Sequence, residues 1–93
     1  DAISHCLETY MAPAFNPPAD AIAMDGLARG WRALVKAVRD GGDKAARKDM
    51  MMCALEGAMA FQKGLGAIHS LSHPVGAVYG THHGTTNAAI AHQ

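Results

Sequence analysis

The chain has only two cysteines, Cys6 and Cys53, and no CxxC pair, which excludes a zinc ribbon and a thioredoxin-type redox motif. Both sit in apolar helical surroundings and read as reduced core residues. It has no excess charge of either sign: 8 basic and 8 acidic side chains cancel, leaving no electrostatic footprint for nucleic acid or an anionic membrane. No apolar run reaches the roughly 20 residues that span a bilayer, and no charged segment followed by an apolar one opens the chain. A soluble, cytoplasmic protein is the expectation. Strand-like alternation is missing throughout, so the expected fold class is all-α, a helical bundle. Gly64-Leu65-Gly66 offers two glycines of a dinucleotide motif, but the third is absent at the right place and no strand precedes it, which excludes a phosphate loop.

At 93 residues the chain is one domain at most, able to bury roughly 60 to 65 per cent of its unfolded surface. It begins at Asp1 and stops at Gln93 within the apolar segment Asn87 to Gln93, which suggests a piece of a longer polypeptide. Part of its apolar content is then surface meant for missing partners.

Ile3, Leu7 and Tyr10, with Cys6 beside them, predict a helix from Asp1 to about Met11. Pro13, Pro17 and Pro18 end it and make Ala12 to Pro18 a connecting loop. From about Ala19 a second helix is marked by Met24, Leu27, Trp31, Leu34, Val35 and Val38, a stripe expected to face the core, with Asp25, Arg29, Arg32, Lys36 and Arg39 opposite. Gly41 and Gly42 are expected to end it with positive φ. Asp43 is the expected N-cap of a third helix. Its second half, Met50 to Phe61, is apolar almost all round and expected to be buried on most sides, with Gly57, Ala58 and Ala60 allowing close helix approach. Glu56 is the exception in that stretch and requires a partner. Ala67 to Ser72 reads as a short helical turn stopped before Pro74, Val75 to Thr81 as loop, and His83 as the opening of a final helix.

Four of the six histidines, His69, His73, His82 and His83, fall within fifteen residues. His5 follows Asp1 by four, so a carboxylate and an imidazole share one helical face a turn apart. This mixture suits a divalent first-row transition metal better than calcium or magnesium, which prefer all-oxygen shells. His69 and His73 stand at i and i+4, but Ser70 occupies the place of the glutamate that a zincin helix requires, so that mechanism is excluded. Spacing alone leaves open which of the four clustered histidines are ligands, or whether they form a helix-terminus network without a metal.

The blocks Asp1-Ala-Ile-Ser-His5-Cys-Leu-Glu8, Gly57 to Phe61, Gly64 to Ala77 with its HxxxHPxGA pattern, and His83-Gly84-Thr-Thr-Asn87-Ala closely resemble the iron-containing (group III) alcohol dehydrogenases. The resemblance covers essentially the whole chain, and the histidine-glycine pair follows His69 by fourteen residues. It implies that residues 1–93 are part of the C-terminal helical, metal-binding domain of a two-domain enzyme whose N-terminal α/β nucleotide-binding domain is absent here. It implies Asp1, His5, His69 and His83 as metal ligands and His73 as a catalytic histidine concerned with proton movement; His82 and His92 receive no role. It further implies Fe(2+), with Zn(2+) able to bind the same donors, NAD or NADP held mainly by the missing domain, a small alcohol or aldehyde substrate, and a homo-oligomeric full-length enzyme. The loop Asn16 to Asp20 and the block Gly57 to Gly64 look similar to branches acting on short hydroxy acids such as 4-hydroxybutyrate. The competing expectation is a non-catalytic helical metal-binding or assembly module, with all metal positions filled by protein and no nucleotide domain upstream.

Overall fold

The structure, a computed structural model, describes residues 1–92. It contains α1 (Ala2–Met11), α2 (Pro17–Arg39), α3 (Lys44–Ala60) followed by a 3₁₀ turn (Phe61–Lys63), α4 (Ala67–Tyr79) and α5 (His83–His92). No strand occurs among the described residues, as the missing alternation requires.

Local chemistry sets most of the helix limits. Ala12, which precedes Pro13, takes φ −61° and ψ 139°, the extended conformation that a following proline ring enforces, and α1 stops there. Pro17 and Pro18 do not belong to the loop; they open α2, where their missing N–H groups are no loss, and the Asn16 side chain accepts from Ala19 N at 3.2 Å. Asp43 caps α3 by accepting from Ala46 N at 3.0 Å. Gly41 and Gly42, contrary to expectation, are not at positive φ: α2 ends through Asp40 in an extended conformation, whose Oδ1 accepts from Gly42 N at 2.9 Å.

Pro74 does not stop a helix. α4 continues through it to Tyr79, so the expected short turn and the loop from Val75 both give way to one longer helix. The proline removes one bond to the carbonyl of Ser70, a residue exposed to solvent, where losing an internal donor costs little. Buried His69 and Ser72 anchor the turn before the proline. The helix ends at Gly80, whose φ of +65° is the left-handed cap that glycine adopts without strain.

The α2 stripe faces the other way from its expected direction. Trp31 and Val38 are each 77 % exposed, and the buried face of α2 is instead Ala19, Ala23, Gly26, Gly30 and Ala33. The reason is the closeness of the α1–α2–α3 packing. A Cβ on Gly30 would stand 2.6 Å from Cys53 Sγ and 2.9 Å from Ile3 Cγ1, and one on Gly26 would stand 2.8 Å from Cys6 Sγ. Only small residues fit where three helices approach this tightly. Arg29, assigned to the polar face, crosses to α3 and donates to Asp49 Oδ1 at 2.9 Å.

α3 likewise buries one side rather than most. Cys53, Glu56, Gly57 and Ala60 are inside, while Met51, Leu55, Ala58 and Met59 are exposed. Cys6 and Cys53 are both free and fully buried at the α1–α3 contact. Lys63, in the 3₁₀ turn, pairs with Asp20 and donates to Tyr10 O at 3.2 Å, tying the ends of α1 and α3 to the start of α2. No large apolar side chain is fully buried among the described residues; the interior is built from alanine, glycine, cysteine and hydrogen-bonded polar groups. An apolar groove lined by Ile3, Leu7, Trp31, Leu34, Ile68 and Ala91 is left open.

Candidate metal centre

Three helices deliver side chains to one point. Asp1 caps α1, His69 lies in the first turn of α4, and His83 opens α5. Asp1 Oδ1 is 3.2 Å from His69 Nε2 and 2.9 Å from His83 Nε2, and the three donor atoms all lie within 4.8 Å of one another. Donors about 2.0 to 2.2 Å from a shared ion stand about 2.8 to 3.6 Å apart at octahedral to tetrahedral angles, so the two separations from Asp1 Oδ1 fit one cation.

His5 sits beside this trio but outside it. Its ring stacks on that of His69 with centroids 4.5 Å apart, and its Nδ1 is 3.7 Å from Asp1 Oδ2. Burial first, then the neighbouring His69, lowers its pKa below the ordinary value, which favours the neutral imidazole. His73 completes a four-ring cluster, with centroids 5.8 Å from His69 and 5.1 Å from His83, yet it is exposed and outside the donor trio. His82 is at the α5 entrance, where its Nδ1 accepts from Thr85 N at 3.4 Å, and His92 is exposed on α5.

Two residues without a role in the sequence reading belong to the site. Glu8 is buried to 2 % exposure, and its carboxylate meets His69 Nδ1 from behind while accepting from Ile68 N at 2.5 Å. Burial alone would raise its pKa, but the hydrogen bonds from the His69 ring and from the amides of Ile68 and Gly66 reverse this, and the net shift is downward. One carboxylate thus faces both the His69 ring nitrogen Nδ1 and the first amides of α4, and Nε2 is the ring nitrogen turned toward Asp1. The signal lies in the spacing, since Asp1, His5 and Glu8 share one face of α1, beside the more conspicuous apolar series of Ile3, Leu7 and Tyr10.

Asn87, one turn after His83, is the second. Its Nδ2 donates to Asp1 Oδ1 at 2.7 Å and stands 3.1 Å from His83 Nε2 and 3.5 Å from His69 Nε2. Its buried Oδ1 has no partner. The centre thus brings a carboxylate oxygen and two imidazole nitrogens together around a single side-chain amide. One carboxylate oxygen and two imidazole nitrogens grouped this closely are a donor set that fits a divalent cation.

Five helices, three of which bring oxygen and nitrogen donors to one point, make up this all-α fold. The C-terminal model of the Fe-containing alcohol dehydrogenase family matches residues 1–93, and the chain belongs to that family. It is 60 % identical over 95 residues to 4-hydroxybutyrate dehydrogenase of Cupriavidus necator, a match that covers 97 % of this chain and 25 % of that protein. Alcohol dehydrogenase 4 of Saccharomyces cerevisiae (strain ATCC 204508 / S288c) is 42 % identical over 97 % of this chain and 24 % of its own length. NAD-dependent methanol dehydrogenase of Bacillus methanolicus is 40 % identical over 95 % of this chain and 23 % of its own. The chain therefore spans about a quarter of the length of the curated relatives it matches. No solved structure matches it. No helix among the described residues is long and apolar enough to cross a membrane.

Proposed function

We propose that residues 1–93 are part of the helical metal-holding domain of an NAD(P)-linked alcohol dehydrogenase, with Asp1, His5, His69 and His83 as the protein ligands. The observation that carries this is the convergence of Asp1 Oδ1, His69 Nε2 and His83 Nε2 around one point. His5 joins them from one turn beyond Asp1, its ring already against His69. Fe(2+) is the proposed ion, with Zn(2+) able to occupy the same donors at least as tightly. A divalent ion held there supplies Lewis acidity toward a substrate oxygen, and NAD or NADP, bound mainly by residues beyond this chain, supplies the hydride acceptor.

The chain's own residues do the rest. Asp1 offsets part of the ion's charge, while the neutral imidazoles leave the remainder to act on substrate. His73, outside the donor trio and open to solvent beside His83, accepts the proton of the substrate hydroxyl at a ring nitrogen and passes it to water. The substrate is a small alcohol or aldehyde. The relative named 4-hydroxybutyrate dehydrogenase supports a short hydroxy acid of that kind. The exposed Trp31, Val38 and Met51 support burial of these faces within a larger, homo-oligomeric enzyme.

The test is elemental analysis of the full-length protein beside an NAD(P)-linked assay with 4-hydroxybutyrate and short primary alcohols. Stoichiometric transition metal together with turnover is the expected result. Metal without turnover of any short alcohol rejects the dehydrogenase reading in favour of a non-catalytic module.

A further inference from the structure

We propose that Glu8 is the positioning residue of the metal centre, its buried carboxylate holding His69 in the Nδ1–H tautomer and fastening that ring to the first turn of α4. The proposal rests on the metal reading above and extends it to a residue that does not touch the ion.

The geometry gives Glu8 two tasks at once. α4 has no cap of its own, because Gly66 stands at the N-cap position and carries no side chain to accept from the first amides. Glu8 supplies that acceptor from α1: its Oε1 takes Ile68 N at 2.5 Å and His69 N at 3.4 Å. A Cβ at Gly66 would come within 3.2 Å of the same oxygen, so the missing side chain is what lets the carboxylate in. The other oxygen, Oε2, meets His69 Nδ1.

One oxygen is therefore committed to the backbone and the other to the ring. A carboxylate accepts only, so the ring must donate at Nδ1 and keep Nε2 unprotonated toward Asp1 and His83. The pairing also places a second negative charge behind the donor set. Because Glu8 does not touch the ion, its charge acts through the His69 ring, raising the basicity of Nε2 while the imidazole stays neutral. Because the same carboxylate joins α1 to α4, the helix bearing Asp1 and His5 is held in register with the helix bearing His69.

Glu8→Gln separates the two tasks. Its amide oxygen still accepts from Ile68 N, which forces the NH₂ group toward His69 Nδ1. That nitrogen must then accept, and the ring proton moves to Nε2, where it blocks the ion. In full-length protein stripped of metal and titrated with Co(II), Glu8→Gln is expected to bind about 10- to 100-fold more weakly than the wild type, while the circular dichroism of the two metal-free forms stays alike. Equal Co(II) affinity overturns the proposal. Should Glu8→Gln fail to fold, histidine-selective ¹⁵N labelling of the metal-free wild type decides: His69 protonated at Nδ1 supports the clamp, and His69 protonated at Nε2 overturns it. A wild type that takes up no Co(II) overturns the metal reading and the role of Glu8 toward it together. A wild type that binds Co(II) with an Nε2-protonated His69 in its metal-free form overturns the role of Glu8 alone.

Discussion

Asp1 Oδ1 and His69 Nε2 lie 3.2 Å apart although 68 residues separate them in the chain. The ring meets Glu8 at Nδ1 and so turns Nε2 toward Asp1. The Asn87 amide donates to the same Asp1 oxygen at 2.7 Å, so residues of α1, α4 and α5 meet at one point.

Removing either imidazole of the trio is expected to empty the centre. His69→Ala or His83→Ala in the full-length protein should lose metal and dehydrogenase activity together, read by elemental analysis and an NAD(P)-linked assay. Stoichiometric metal in either variant rejects that residue as a ligand.

His73 should separate metal from turnover. His73→Ala is expected to retain its metal and lose about 10²- to 10⁴-fold in kcat, the usual contribution of a positioned acid–base group. Loss of the metal as well would place His73 among the ligands instead.

The three-helix junction leaves no room for a methyl group at Gly30, whose Cβ would meet Cys53 Sγ at 2.6 Å. Gly30→Ala is expected to lower stability by about 1 to 3 kcal/mol in denaturant melting. An unchanged midpoint would mean that α2 and α3 pack less closely than described.

Glu56 lies 3.4 Å from Arg29 Nε, yet its Oε1 lacks a hydrogen-bond partner. Burial first, and then the neighbouring Asp25, raises the pKa of its carboxyl above the ordinary 4.5. Folding therefore favours the protonated form: this contribution to stability is complete below the unfolded-state value and is lost as pH rises through the folded one. Glu56→Gln, neutral at every pH, is expected to melt above the wild type at neutral pH, and the difference should shrink on acidification. A variant that melts lower at neutral pH would show that the attraction of Arg29 outweighs burial.

Burial, followed by the nearby Cys53, pushes the Cys6 thiol up to about 12, and the Cys53 thiol is raised as well. Neither forms appreciable thiolate near neutrality. Both are expected to resist iodoacetamide in the native protein and to react fully in guanidinium chloride, counted by mass spectrometry. Rapid native labelling would show that the α1–α3 contact opens.

Part of this was legible in the chain. The Asp43 cap, the proline stop after α1 and the all-α class follow from neighbouring residues and appear where expected. The stripe from Met24 to Val38 is a real apolar face, but periodicity identifies a face without saying what covers it. The face that α1 and α3 cover is the glycine and alanine one, selected by how closely three helices can approach. Pro74 misled for a related reason. A proline disfavours a helix locally, while flanking turns and a hydrated carbonyl decide whether the helix continues.

By itself the sequence determined which donors were present and how they paired along each helix, because i, i+4 and i, i+7 spacings are properties of a single segment: Asp1 with His5, His69 with His73, and Asp1 with Glu8. Only the tertiary structure decided that Asp1, His69 and His83 meet, that Asn87 stands among them, and that Glu8 grips the far side of the His69 ring. Those relations join residues of α1, α4 and α5. They depend on helix packing and on the buried hydrogen bonds that hold it, which no spacing within one helix encodes.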